Sequence, residues 1–291
     1  MKIIHTADWH LCDSLGRNDR TKDLEARVER VAALCLEHDA EVLLIAGDLF
    51  SERASVPEMT AALLHIHRVF VPFFERGGTI LAITGNHDRD ARINMVLAGM
   101  KLAVPVRGSG EPLPGGRLYL ANSAGVVVLR SRSGQRVQFV LVPYPFASRY
   151  EISAADFPTQ AEENTQIKTI LADWLQKKSA EIDHALPTVL VAHLHVCGSE
   201  THSLYKITAA EDHQFQFGDL NPMWPMWRSG TSICRRCSRG RRTCSTPAAS
   251  TGSISASRTT RTPCCCSKST GPPRSSRFAC RSRRPRSTPS T

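Results

Sequence analysis

Glu41–Asp48, EVLLIAGD, decides the fold: five apolar residues run without a break from Val42 to Ala46 and stop at Gly-Asp. A run so short and uninterrupted suits a strand buried on both faces, as in a parallel sheet covered by helices. Two neighbours have the same form, KIIHTAD (Lys2–Asp8) before it and GGTILAITGNHD (Gly77–Asp88) after it. Between the first two runs, Leu24, Val28, Val31, Ala32, Leu34 and Cys35 recur at helical spacing, and PEMTAALLHIHRVF (Pro57–Phe70) opens a second helix with proline in its first turn. Strand and helix alternate, which predicts an α/β fold with helices on the faces of a parallel sheet.

Outward from this unit the texture changes. LYLANSAGVVVLR (Leu118–Arg130) and RVQFVLVPYP (Arg136–Pro145) are β-rich and separated by the turn-like SRSGQ. ENTQIKTILADWLQKK (Glu163–Lys178) is amphipathic and helical, and HALPTVLVAHLHV (His184–Val196) ends on another apolar strand. From Pro225 onward Ser, Thr, Arg, Pro and Cys dominate without period, which predicts a globular domain over 1–224 and a disordered tail over 225–291.

Charge and cysteine divide at the same place. Residues 225–291 hold 15 Lys and Arg with no Asp or Glu, whereas residues 1–224 hold 22 basic against 27 acidic residues. The formal charge of +10 therefore comes from the tail. Only Cys12, Cys35 and Cys197 precede it, an unpaired scatter that suits a reducing cytoplasm. The N-terminus lacks the apolar core of a signal peptide and no run of 18 apolar residues occurs, so the expectation is a soluble cytoplasmic protein with no membrane segment.

Polar residues collect where the apolar runs stop. Asp8 and His10 follow the first, Asp48 the second, Asn86, His87 and Asp88 the third, and His193 and His195 the last. Any one of them alone reads as a turn or cap residue, but four clusters at four strand ends mark the edge where open α/β sheets bind ligands. Carboxylate, amide oxygen and imidazole together suit borderline divalent ions such as manganese or iron rather than a thiolate zinc site. A carboxylate can bridge two ions, and two ions about 3.5–4 Å apart can clamp a phosphodiester.

The motifs D-x-H at Asp8–His10, G-D at Gly47–Asp48, G-N-H-D at Gly85–Asp88 and A-H-L-H at Ala192–His195 resemble the calcineurin-like metallophosphoesterases. HTADWHL, LLIAGDLF, ITGNHD and VAHLHV are similar to the SbcD type, the nuclease subunits of SbcC–SbcD DNA repair complexes. The resemblance implies a four-layer α/β/β/α sandwich and two divalent metal ions, manganese foremost. It also implies cleavage of DNA ends and hairpins, an SbcC-like SMC-type ATPase partner, and a homodimer within a heterotetramer. Asp8 and His10 would hold one metal, Asp48 would bridge, and Asn86 and His193 would hold the second. His87 would protonate the leaving 3′ oxygen or stabilise the transition state, with Asp88 orienting it, and Arg17 and Arg20 would approach the DNA backbone. Cys12 departs from the glycine that usually follows H-L in these proteins.

The same resemblance requires a G-H-x-H motif soon after Phe215–Leu220, where this chain reads WPMWRSGTSICRR and has no histidine. Codons TGG GCC TAT GTG GCG CTC GGG CAC ATC CAT encode WAYVALGHIH. Removing the first G after TGG turns them into WPMWRSGTSI, the text of Trp224–Ile233. The tail thus reads as an out-of-frame continuation, with the strand beside the one ending at His193 lost and activity impaired. Two other readings stand beside this one, a generic metallophosphoesterase for small phosphoesters and an inactive protein binding nucleic acid through its basic tail.

Overall fold

The structure, a computed structural model, describes residues 1–15, 18–88, 90–102, 111–150, 157–196, 214–215 and 227–230. Its strands are β1 (Ile3–Thr6), β2 (Ser14–Leu15), β3 (Asn18–Asp19), β4 (Val42–Ala46), β5 (Thr79–Ile83) and β6 (Leu118–Ala121). They continue with β7 (Gly125–Arg130), β8 (Arg136–Val142), β9 (Thr188–His193), β10 (His195–Val196), β11 (Gln214–Phe215) and β12 (Trp227–Gly230). The helices are α1 (Thr21–Glu37), α2 (Val56–Glu75), α3 (Asp90–Leu102) and α4 (Gln160–Glu181). Among the described residues no helix is long and apolar enough to cross a membrane.

Two four-stranded sheets stack. One is wholly parallel in the order β1-β4-β5-β6, and the other runs β12-β9-β8-β7 with only the β7–β8 pair antiparallel. Each central strand is buried on both faces because successive side chains point to opposite sides. In β4, Leu43 and Ile45 face Val28 and Val31 of α1 and Ile66 and Phe70 of α2, while Val42, Leu44 and Ala46 face the other sheet. That sheet answers with Phe139 and Leu141 of β8 and Val189 and Val191 of β9. Its outer residues Val140, Val142, Leu190 and Ala192 pack on Leu171 and Leu175 of α4 and on Phe215. Three apolar layers between four layers of structure make the α/β/β/α sandwich that the family resemblance implies.

Local chemistry sets the element ends. Ser55 caps α2 through a reciprocal box with Glu58, with Pro57 in the first turn. Helix α3 lies outside the elements expected from the sequence, although Ile93, Val96, Leu97 and Met100 carry helical spacing and Ile93 and Leu97 are buried.

One expectation is corrected. The strand position beside β9 is filled by β12, with Trp227 opposite Leu190 and Gly230 opposite His193, inside the segment read as structureless. Strand pairing is carried by backbone N–H and C=O groups, which the exposed edge of β9 offers whatever side chains arrive.

Candidate metal centre

Strands β1, β4 and β5 are adjacent and parallel, so the residues following them emerge at one edge, and β9 brings His193 to it from the second sheet. The exits of β1 and β4 run side by side, tied by bonds from the Asp8 N–H to the Gly47 carbonyl (3.1 Å), His10 N–H to Asp48 (2.9 Å) and Leu11 N–H to Leu49 (3.0 Å). Asp8, His10, Cys12 and Asp48 all take left-handed φ values, 56°, 46°, 65° and 52°. L-residues adopt that region only at a cost, and such strain concentrates at functional sites. Between the strained positions Trp9 and Leu11 turn into the core.

Two glycines let these loops close. A Cβ on Gly47, itself at φ 89°, would lie 1.8 Å from His193 Nδ1, and one on Gly85 would lie 2.1 Å from Asp48 Oδ1. No other residue fits either place without moving a ligand candidate.

Asp48 is the hub. His10, Asp48 and His87 bring potential ligand atoms within 4.8 Å of one another, and so do Asp8, Asp48 and His193. One buried carboxylate thus belongs to both sets. Asp48 Oδ2 lies 3.6 Å from His10 Nε2 and 3.5 Å from His193 Nε2, while its Oδ1 accepts the His87 N–H at 2.9 Å. His193 Nδ1 donates to the Ala46 carbonyl at 2.8 Å, and its Nε2 faces Asn86 Oδ1 at 3.0 Å. A carbonyl only accepts, so Nδ1 carries the hydrogen, and Nε2, Asn86 Oδ1 and Asp48 Oδ2 converge as electron donors. Such a group needs a cation between its members, either a proton or a metal ion.

The electrostatics agree with that need. Burial pushes the Asp48 carboxyl upward, but the His193 charge and hydrogen bond, His10 and the His87 N–H outweigh it and lower it to about 2. Burial opposes a charge on His193, yet Asp48 beside it raises the imidazole to about 9, helped by Asp8 and the Ala46 carbonyl. A divalent ion can replace the proton held there. Neutral imidazole, carboxylate and amide oxygen are the donors such an ion takes, so the residues fit a divalent metal centre.

Asp88 is placed differently from the sequence reading. It is buried and accepts from the backbone N–H groups of Gly85 (2.8 Å), Phe50 (2.9 Å) and Leu49 (3.1 Å). Its carboxylate ties the β4 exit to the β5 exit, and among the described residues it makes no bond to the His87 ring. Burial drives its pKa up against these three bonds, with Asp48 adding to the rise. His87 instead stacks edge-on against His10, with ring centres 5.0 Å apart, and its Nδ1 lies 3.6 Å from Glu52. Arg20 pairs with Asp13 at 3.1 Å, while Arg17 lies outside the described residues. His195 is buried beside β9 in the short strand β10, and Tyr144 sets its ring edge against His193 at 6.4 Å. Neither Glu52 nor Tyr144 carried a sequence signal, since both meet their partners only through the fold.

A buried carboxylate shared by two sets of nitrogen and oxygen donors, at the carboxyl edge of an α/β/β/α sandwich, defines a metal-dependent phosphoester hydrolase. The sequence pattern of the calcineurin-like phosphoesterases matches residues 1–197, and the chain belongs to that family. Its relatives include the SbcD subunit of the nuclease SbcCD from Rhodobacter capsulatus, 29% identical over 209 residues that cover 68% of this chain and 49% of the relative. The corresponding subunit from Escherichia coli K12 is 24% identical over 208 residues, 68% of this chain and 48% of that one. The chain spans about half the length of these relatives. Among solved structures, TT1561 of Thermus thermophilus aligns over 77% of this chain and 79% of its own, at 14% identity and a TM-score of 0.38.

Proposed function

We propose that this chain is the metal-dependent nuclease subunit of an SbcD-type complex, acting in the cytoplasm on DNA ends and hairpins. The observation that carries the reading is Asp48, buried and shared between two ligand sets. Asp8, His10, Asp48, Asn86 and His193 would hold two divalent ions, manganese the best match to mixed carboxylate, amide and imidazole donors. When bound, such ions supply Lewis acidity toward the phosphate and an activated water. His87, half-exposed and grouped with His10 and Asp48, would deliver a proton to the leaving 3′ oxygen rather than hold a metal, a role worth about 10²–10⁴-fold in rate. Asp88 holds the two loops that carry Asp48 and His87 at a fixed separation.

The partners of this reading are DNA, an SbcC-like SMC-type ATPase and a second copy of the chain. Support for the second copy comes from the apolar surface of α2 and α3: Leu64 and Met95 are exposed, and a groove of about 560 Å³ is lined by Leu63, Val71, Phe74, Val96 and Met100.

The reading includes a lost frame after Trp224. Support comes from the register of β12: Gly230 pairs opposite His193, so the strand ends level with the metal edge. The next residues in the chain are Thr231, Ser232 and Ile233, where G-H-x-H would supply two histidines. Each metal then lacks one imidazole, which makes the chain a poor nuclease. Reinserting one G after the Trp224 codon is expected to restore G-H-I-H and manganese-dependent DNA cleavage together. If the 291-residue chain already cleaves DNA as fast as the repaired one, the missing histidines are dispensable and the lost frame is not the explanation.

A further inference from the structure

An imidazole that delivers a proton needs its ring fixed and one tautomer favoured, and both are usually set by an acceptor on its other nitrogen. Asp88, the adjacent carboxylate in sequence, is engaged by three backbone N–H groups and turned into the core. The carboxylate beside the His87 ring is Glu52, with Oε2 at 3.6 Å from Nδ1.

The position of Glu52 is built rather than incidental. Its loop leaves β4 through Leu49 and Phe50, which are held by Asp88, and the next N–H, Ser51, bonds the Leu11 carbonyl at 2.8 Å. Arg92 of α3 then donates to the Glu52 carbonyl at 2.8 Å, and Ala54 closes the turn onto Ser51 at 3.0 Å. On the other side, the His87 N–H is held by Asp48 at 2.9 Å and its ring is braced by the edge-on contact with His10. Both backbones are pinned, so the two loops set the separation across which the Glu52 side chain reaches Nδ1.

We infer that Glu52 is the positioning residue of His87: its carboxylate, facing Nδ1 at 3.6 Å, favours a hydrogen on that nitrogen and leaves Nε2 open toward the reacting group. Glu52 acts through His87 and is not itself a catalytic residue. The consequence for turnover rests on the nuclease reading, but the contact does not, so the test is made on the metal-free chain. Nitrogen-15 spectra of the ring, assigned by their disappearance in His87→Ala, report the tautomer at about pH 8, where imidazole is ordinarily neutral.

The unaltered chain is expected to show mainly the Nδ1–H form. Glu52→Ala is expected to invert it to the Nε2–H form that an unpartnered histidine prefers, with thermal melting little changed. Arg53→Ala, an exposed change in the same loop, is expected to leave the tautomer as it was. An unchanged tautomer in Glu52→Ala would overturn the proposal, and so would the same inversion in Arg53→Ala, which would assign the effect to the loop. A chain that binds no manganese yet passes this test would fail the nuclease reading and leave the Glu52–His87 contact standing.

Discussion

The two edges of the parallel sheet handle carboxylates in opposite ways. At the edge where the strands begin, Glu41 accepts from the Lys2 and Arg132 N–H groups at 2.9 and 2.6 Å and lies 3.6 Å from the Met1 ammonium. Asp39 beside it pairs with Arg132 at 2.7 Å and Lys2 at 3.6 Å. At the edge where the strands end, the described partners of Asp48 are imidazoles and a backbone N–H, and those of Asp88 are backbone N–H groups. The pKa directions follow. Burial pushes Glu41 up, but its N–H bonds and cations bring it below the usual range, whereas burial leaves Asp88 raised. Negative charge is neutralised by ammonium and guanidinium groups at the first edge, and at the second Asp48 is neutralised by a protonated imidazole whose proton a metal ion can replace.

The largest expected effect breaks this comparison outright. Asp48→Ala removes the carboxylate common to both ligand sets, so calorimetry should show manganese binding lost at both and phosphodiester hydrolysis at background. Unchanged metal stoichiometry would remove Asp48 from the centre. Next comes the pair Asp88→Ala and Glu41→Ala, compared by thermal melting. Asp88→Ala leaves three buried N–H donors unpaired at about 1–3 kcal/mol each, for a loss of about 3 kcal/mol or more. Glu41→Ala, at a wetter edge, should cost about 1 kcal/mol.

Titration probes the second edge through Asp48 and His193. Asp48 falls from 3.8 to about 2, so its contribution to stability is complete above 3.8 and is lost as pH drops through about 2. His193 rises from 6.5 to about 9, so its contribution is complete below 6.5 and is lost as pH climbs through about 9. The metal-free chain should therefore lose melting temperature between pH 6.5 and about 9, and bound manganese, replacing the proton, should flatten that slope. Equal slopes with and without metal would show that the ion does not sit against His193. The smallest effect is at Cys12, whose φ of 65° suits glycine. Cys12→Gly should relieve about 1 kcal/mol of backbone strain, less the packing lost against the core, and raise the melting temperature slightly.

The sequence alone determined a great deal here. Strands β1, β4, β5 and β9 and helices α1, α2 and α4 are legible because apolar runs and helical spacing are local signals. Asp8, His10, Asp48, Asn86, His87 and His193 stand out because each follows the end of such a run. Helix α3 carries the same kind of signal in four spaced apolar residues, too few to stand out beside the longer helices. Only the tertiary structure decided which of these residues share a neighbourhood. It grouped Asp8 with His193 and His10 with His87 around Asp48, turned Asp88 to the β4 exit, gave Arg20 to Asp13 and set Glu52 against His87. It also filled the place beside β9 with Trp227–Gly230, a segment with no strand pattern. The reason is physical: Ala46 and His193 are 147 residues apart and meet at 2.8 Å through sheet stacking, and no local periodicity encodes a contact of that range.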